Sequence, residues 1–238
     1  MRMASLLVAF SIGGCGEPRY VAKPLPDLVV NPRRMPIRVN ALVMRDGERL
    51  RWEVHHQGFT IGRAELVVSG ARVTSKFKTS QLASMFARAE HELSTTLSAA
   101  GAFPEGASER AVIDGAHEVY ELVFAPRVYV VNQTLRRLDG AAHTMHSALG
   151  VLRAWGAPTA GPGFLDVVHA GELYRLEIDT PTREDWRGTR TLKLDGRITG
   201  MEHPVLVTMW ITEDDRRLPV RIELAFDGKQ IDAELIED

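Results

Sequence analysis

Two histidines three residues apart have the spacing in this sequence that is most suggestive of chemistry. His143 and His146 would share one face of a helix, and imidazole nitrogens are ligands that Zn²⁺ accepts. No cysteine and no acidic residue lies at a matching spacing within residues 143–155. Both histidines are therefore weak metal candidates, and the competing interpretation is that they face solvent or cap a helix. A metal-dependent hydrolase that uses them with a distant carboxylate is kept as an alternative function.

Other reactive residue types lack partners at the spacing that catalysis needs. His91-Glu92 begins like the zinc-peptidase motif, but threonine occupies position 95, where the second histidine would lie. Ser147 is not flanked by the glycines of a nucleophile elbow. Asp214-Asp215 precede two arginines, as in a solvated hairpin turn. The sequence predicts no catalytic residue and favours a non-catalytic protein.

The single cysteine, Cys15, ends a short apolar run at the N-terminus. Residues 1–3 include one arginine, residues 4–12 are apolar apart from two serines, and two glycines precede the cysteine. This layout is typical of a secretory signal. Ile12-Gly13-Gly14-Cys15 also resembles the bacterial lipobox, in which cleavage before the cysteine accompanies attachment of diacylglycerol to its thiol. We predict a signal peptide over residues 1–14 and an acyl lipid such as palmitate on Cys15, with no other cofactor. A buried free cysteine is the alternative.

The segment after Cys15 indicates how the folded domain is attached to a membrane. Residues 16–36 contain five of the chain's 12 prolines and no clear periodicity, so we predict an extended tether over residues 15–36. Gly16 follows the cysteine, and the absence of aspartate there favours the outer membrane in many Gram-negative lipoproteins. A net charge of −2 argues against nucleic acid as a partner. We expect a lipid anchor in the outer membrane, facing the periplasm.

Alternating apolar and polar residues dominate the chain from residue 37 onward. Segments such as 50–55, 61–69 and 72–79 alternate with period two and are joined by glycine-containing loops, which predicts antiparallel hairpins. Helical spacing occurs over residues 81–90 and, more clearly, over residues 143–155, which Gly156 and Pro158 end. We predict a single mainly β domain over residues 37–238. Its fold would be a curved antiparallel sheet or an open β-barrel with one central helix.

Large apolar side chains in these elements are the candidates for a ligand groove. Aromatic and aliphatic residues on the concave face of an incompletely closed barrel would line an apolar groove. The competing interpretation is ordinary core packing, because a groove and a core use the same residues. The groove candidates are Trp52, Val54, Leu66, Phe77, Trp155, Met209 and Trp210.

Three segments together resemble one bacterial family. Gly58–Leu66 is similar to a G-x-x-x-G-x-A-x-L strand motif, and Ser147–Arg153 to a central S-A-L-x-x-L-R segment. Met209–Ile222 is similar to an aromatic strand followed by an acidic turn and R-x-P-V-x-I. In order and spacing they resemble the family named Domain of Unknown Function 3108. The resemblance implies an envelope protein with a curved antiparallel sheet and no established activity. That architecture is similar to the open barrels of periplasmic lipoprotein carriers and receptors, which hold acyl chains on a concave apolar face, although fold does not fix function.

These observations lead to one expected function and one alternative. We expect a lipid-anchored envelope protein that is not an enzyme and that binds a hydrophobic ligand, such as an acyl chain, or an envelope protein partner on its curved sheet. The alternative is the metal-dependent envelope hydrolase that would use His143 and His146.

Overall fold

The computed structural model describes residues 34–85, 87–98, 103–201 and 203–237. The predicted signal peptide, Cys15 and the tether up to residue 33 lie outside the described residues. Arg34 and the short strand Met35–Pro36 do lie in the fold, where the strand pairs with residues 163–164. The last three residues of the predicted tether are therefore part of the β domain.

Strands make up most of the described chain, and they fall into two groups around one α-helix. The first group comprises β1 (Met35–Pro36), β2 (Arg49–His56), β3 (Phe59–Ser69), β4 (Arg72–Thr79), β5 (Ala89–Leu97), β6 (Pro104–Ile113), β7 (Ala116–Ala125), β8 (Val128–Val131), β9 (Thr134–Arg137) and β10 (Ala142–His143). After the helix α1 (Met145–Trp155) come β11 (Gly163–His169), β12 (Glu172–Ile178), β13 (Thr182–Trp186), β14 (Thr189–Thr199), β15 (Val205–Thr212), β16 (Pro219–Phe226) and β17 (Lys229–Glu237).

All 17 strands of the described ranges belong to one open sheet. Consecutive strands from β2 to β9 pair antiparallel, as do β14 to β17. The two halves are joined where β17 pairs antiparallel with β2. At one end β11 pairs antiparallel with β12, and the short strands β1 and β10 run parallel to β11. This architecture confirms the predicted fold class, a mainly β, curved and largely antiparallel sheet with a central helix.

The helix α1 begins and ends at residues suited to those positions. Thr144 is the N-cap, and its side chain and that of Ser147 bond to each other's backbone N–H groups in a reciprocal capping box. At the other end the backbone N–H of Gly156 donates to the carbonyl of Leu152. Most of the helix is buried against the concave face of the sheet. The predicted helix over residues 143–155 is thus two residues shorter, because His143 belongs to β10.

The other predicted helix, over residues 81–90, is absent from the described part of that segment. A single 3-10 turn covers Ala83–Met85, and strand β5 already begins at Ala89. Leu82 and Met85 are both exposed, so their helical spacing does not form a buried face. Without such a face, packing gives a short helix too little stability.

Gly62 shows how closely the neighbouring strands β3 and β4 approach each other. A Cβ atom at this position would lie 2.5 Å from the carbonyl oxygen of Lys78 and 2.7 Å from the ring of Phe77. The second glycine of the Gly58–Leu66 segment is therefore required by close contact with β4. Gly58 has a φ of +80° in the turn before β3, a backbone conformation that favours glycine.

Within the described ranges, no helix has the length and the apolar character that crossing a membrane requires.

Candidate functional site

A cavity of about 340 Å³ lies between α1 and the concave face of the sheet. Strands β2 to β5 form one wall, β14 to β17 form another, and β11, β12 and the helix complete the enclosure. The lining is overwhelmingly apolar. Its residues include Trp52, Val54, Ile61, Ala64, Leu66, Phe77, Leu93, Ala148, Leu149, Leu152, Val167, Leu176, Ile198, Val205, Val207, Met209, Ile222, Leu224, Ile231 and Ala233.

Small side chains at inward positions create the space. Ala64 lies opposite Trp52 on one side and Phe77 on the other, and Ala233 lies between Val54 and Ile222. Because directly opposite Cβ atoms in a sheet are about 4.5–5.5 Å apart, larger residues at these two positions would fill the space beside their neighbours. The cavity follows from two alanines placed among large apolar residues.

Five of the seven predicted groove residues line this cavity: Trp52, Val54, Leu66, Phe77 and Met209. Trp52 also donates a 2.9 Å hydrogen bond from Nε1 to the carbonyl of Pro219, which fixes its indole ring in the wall. Trp155, at the end of the helix, packs against the apolar core but is not among the lining residues.

Trp210 lies on the outer face of β15, opposite the cavity. It follows Met209 directly in a strand, and consecutive side chains of a strand point to opposite faces. The Trp210 ring packs on Trp186 with centroids 5.6 Å apart, and the Arg221 guanidinium lies 5.0 Å from its centroid. These neighbours bury Trp210 from outside, so its apolar character does not indicate an inward position.

A group of polar residues lies in the cavity lining near the start of α1. His91, His146, His169 and Ser75 all contribute to its lining. His146 is held in the wall by Nδ1, 2.9 Å from Oγ1 of Thr95, and by Nε2, 2.8 Å from Oγ of Ser75. The other lining residues are apolar or aromatic apart from Glu65 and Lys76, and the exposed lining is almost entirely carbon. The cavity therefore combines a large apolar surface with a few polar groups.

The predicted pair His143 and His146 does not form a metal site in this arrangement. Both ring nitrogens of His146 have hydroxyl partners. His143 stacks on Phe103 with ring centroids 5.7 Å apart, and its buried Nδ1 has no hydrogen-bond partner among the described residues. The two rings contact different neighbours because His143 ends strand β10, whereas His146 lies in the first turn of α1. They do not share one helix face.

A different group of titratable residues does converge: His91, Glu109 and His169. Nε2 of His91 lies 2.8 Å from Oε1 of Glu109, and Nδ1 of His169 lies 2.7 Å from the same oxygen. All three residues are buried. Burial raises the pKa of the Glu109 carboxyl, but the adjoining His169 and His91 outweigh that effect and hold the pKa well below its usual range.

Sequence reasoning missed Glu109 and His169, although one signal was present. In β6 the buried positions 107, 109 and 111 alternate with more exposed ones, so Glu109 occupies an inward position between two alanines. An inward carboxylate in an alternating strand needs a partner. Nothing in the sequence indicates that the partner comes from β11, 60 residues further on.

Burial of the other two histidines makes stability depend on pH. Burial lowers the pKa of His143 to about 4 and that of His146 to about 3, both well below the ordinary value of 6.5. The unfolded chain therefore binds protons below about pH 6.5 that the folded chain does not accept. We expect the free energy of unfolding to decrease as the pH falls from 6.5 towards 4, by up to about 1.4 kcal/mol per pH unit for each histidine.

Urea unfolding at a series of pH values, in the presence of a chelator, measures this slope. His143→Phe should reduce it, because phenylalanine keeps the stacking on Phe103 and removes one titrating group. His117→Ala is the control, since His117 is exposed on β7. An unchanged slope in His143→Phe would contradict the role given to this buried ring.

A buried ion pair holds α1 to the loops beneath it. Arg153 is fully buried and makes two hydrogen bonds to Glu48, from Nη1 at 2.8 Å and from Nη2 at 2.7 Å. The same guanidinium donates to the carbonyls of Arg217 and Arg216, at 2.9 Å and 2.8 Å. Arg153 thus connects two of the segments that resemble the bacterial family, Ser147–Arg153 and Met209–Ile222. Its surroundings are protein groups, so its role is structural.

The fold and cavity define a class of protein: an open, barrel-like β-sheet that encloses an apolar cavity beneath one helix. Family models and curated protein sequences give no match to this chain. Among solved structures, the fold is similar to that of a β-barrel-like protein of Domain of Unknown Function DUF1849 from Brucella abortus. The TM-score is 0.59 at 9% sequence identity, over 79% of this chain and 95% of the other. At this identity the likeness shows the fold alone.

A second solved structure, the lipoprotein LppX of Mycobacterium tuberculosis, aligns over 79% of this chain and 84% of its own. Its TM-score is 0.27 and the sequence identity is 13%. A TM-score of this size supports no conclusion about a shared fold or function.

Proposed function

We propose that this protein is a lipid-anchored envelope protein that binds one amphiphilic molecule with an acyl chain in its interior cavity. The observation that supports the ligand is the cavity itself. Its volume of about 340 Å³ lies within the range of about 300–1,000 Å³ common for small-molecule sites. Its apolar lining suits a hydrocarbon chain, and the nearby side chains of His91 and His169 suit a polar head.

Hydrocarbon burial supplies the driving force for such binding. Each methylene moved from water into an apolar site contributes about 0.8 kcal/mol. Ordering the chain and losing its free motion oppose this gain. A cavity that is already formed reduces the ordering required of the protein, because α1 and the surrounding strands are positioned by their own contacts.

The experiment is lipid extraction from the full chain purified from envelope membranes, followed by mass spectrometry of the extract and of the intact complex. We expect one non-covalent lipid per chain, distinct from the covalent anchor. A chain that carries no such lipid and does not bind a fluorescent fatty acid would overturn the proposal. The Ala233→Phe variant discussed below tests whether the lipid occupies the cavity.

The anchor part of the proposal is supported by the N-terminal sequence, which lies outside the described residues. Cys15 would carry the diacylglycerol after removal of residues 1–14, and Gly16 supports the outer membrane as the location, with the domain in the periplasm. We also propose that the chain is a member of the Domain of Unknown Function 3108 family, on the basis of the three sequence segments that resemble it.

Replacing Cys15 tests the anchor separately from the cavity. We expect Cys15→Ser to lose incorporation of a clickable palmitate analogue and to remain unprocessed or leave the membrane fraction, because serine cannot form the thioether. Ser11→Ala, in the same segment but outside the lipobox, is the control and should label normally. Undiminished lipid labelling of Cys15→Ser would contradict the assignment.

The alternative hydrolase gains no support from the residues first considered for it. In the part of the chain that the structure describes, His143 and His146 do not converge on a carboxylate, and the ring nitrogens of His146 already have hydroxyl partners. A polar, hydrated cleft would favour hydrolysis, whereas the lining of the observed cavity is mostly apolar. We therefore propose binding, not catalysis, as the function.

A further inference from the structure

The cluster of His91, Glu109 and His169 joins strands from the two halves of the sheet. His91 is in β5 and Glu109 in the neighbouring β6, whereas His169 is the last residue of β11. Strand β11 lies near one end of the pairing order and β5 and β6 lie in the other half. Any ligand bound by all three side chains would therefore link the two halves of the open sheet from inside.

The cluster is compact enough to surround a single ion. One ligand atom from each of the three residues lies within 4.8 Å of the others. The Glu109 oxygen Oε1 lies between the two rings, 2.8 Å from Nε2 of His91 and 2.7 Å from Nδ1 of His169. Bonds from Zn²⁺ to histidine or carboxylate are about 2.0–2.2 Å long, so small side-chain movements would place all three atoms around one metal.

His169 has bonding capacity that its protein neighbours do not use. It is buried to 6% exposure, and neither Nδ1 nor Nε2 has a hydrogen-bond partner among the described residues. Nδ1 does lie 2.7 Å from Oε1 of Glu109 in an ion-pair contact, so Nε2 is the nitrogen that neither a hydrogen bond nor an ion pair occupies among the described residues. Buried polar atoms without partners are uncommon in native structures, and an ion is one recognised explanation.

Glu109 is held in the way that a ligating carboxylate commonly is. Its second oxygen, Oε2, accepts a 2.8 Å hydrogen bond from the backbone N–H of Ala170, directly after His169. This bond fixes the carboxylate and leaves Oε1 directed at the two imidazoles. Hydrogen bonds of this outer kind orient metal ligands and support metal affinity. The negative charge of Glu109 also favours a bound cation.

From this geometry we propose that His91, Glu109 and His169 bind a divalent transition-metal ion of the Zn²⁺ type. Two imidazoles and one carboxylate suit Zn²⁺ and its first-row neighbours, whereas Mg²⁺ and Ca²⁺ require mainly oxygen ligands. Because His91 and His169 also line the cavity, the ion would lie among the polar groups of that lining. This site goes beyond the proposed lipid binding and does not depend on it.

Isothermal titration calorimetry of the chelator-treated full chain with ZnCl₂ tests the site, and titration with MgCl₂ provides the comparison. We expect one Zn²⁺ per chain and no measurable Mg²⁺ binding. Glu109→Gln and His169→Asn should each weaken Zn²⁺ binding by at least about tenfold, since even loss of an outer-sphere partner commonly costs 10- to 100-fold. His117→Ala, which changes an exposed histidine on β7, should bind like the parent chain.

A spectroscopic measurement on the unmodified chain keeps the test decisive if a variant does not fold. Co²⁺ in place of Zn²⁺ should give visible absorption of a low-coordinate nitrogen–oxygen site, and Zn²⁺ should displace it in one step. Absence of binding to the unmodified chain would overturn the proposal, as would equal affinity in folded Glu109→Gln and His169→Asn. Lipid content, measured on the same samples, reports separately on the cavity.

Discussion

Replacing Arg153 by methionine is expected to lower the free energy of unfolding by about 3–5 kcal/mol. Methionine has a similar length but no charge and no donors. The variant would leave the Glu48 carboxylate, only 3% exposed, without its two guanidinium bonds. The carbonyls of Arg216 and Arg217 would also lose their donors. A buried charge without a partner is far more costly than a buried pair is stabilising.

Urea unfolding followed by tryptophan fluorescence measures this effect. Arg183→Met is the matched control, because Arg183 makes a 2.8 Å ion pair with Glu213 while remaining 69% exposed. That surface pair should contribute no more than about 1 kcal/mol. In the double variant Arg153→Met with Glu48→Met, the loss should be smaller than in Arg153→Met alone, since the orphaned charge is gone. Similar effects of Arg153→Met and Arg183→Met would contradict this account.

The second large effect concerns ligand binding. Ala233→Phe should weaken binding of a fluorescent fatty acid by ten- to a hundredfold, because the ring would occupy space in the cavity beside Val54 and Ile222. If the ring displaces about three methylenes at about 0.8 kcal/mol each, the loss is about 2.4 kcal/mol. The fold should be retained, since the added group enters space that is not filled by protein.

Ala225→Phe is the control for this experiment. Ala225 lies in β16 next to the cavity-lining Leu224, but it is not among the lining residues and pairs with the exposed Leu206. The same change there should leave affinity unaltered. Displacement titrations on both variants, with circular dichroism to verify folding, give the comparison. Unchanged affinity in folded Ala233→Phe would place the lipid outside the cavity.

The strands were predictable because their signal is local. Alternation in segments such as 50–55 and 61–69 reports which face of each strand is buried. The helix over 145–155 is flanked by its capping residues, Thr144 and Gly156. The same rule places Met209 and Trp210 on opposite faces of β15, so the sequence allows only one of them to line the cavity but does not say which. A large aromatic residue can be buried on either face when its neighbours cover it, as Trp186 and Arg221 do.

The site was less predictable because its contacts connect distant parts of the chain. Arg153 meets a carboxylate 105 residues away, and Glu109 meets an imidazole 60 residues away. A single sequence contains no local pattern that specifies such pairs. The cavity has the same origin: Ala64 and Ala233 are ordinary strand residues until the pairing of β2 with β3 and β17 places both of them beside larger neighbours.

The pairing of β17 with β2 also determines when the protein can complete its fold. Strand β17 inserts between β16 and β2, in the middle of the sheet and not at its margin. During synthesis from the N-terminus, the chain therefore has two separate half-sheets with open edges until residues 229–237 have been made. Pairings at such sequence separation are slow to form and leave intermediates prone to aggregation. Pairing of β17 with both β16 and β2, and not formation of the first hairpins, should set the time at which a ligand can be enclosed.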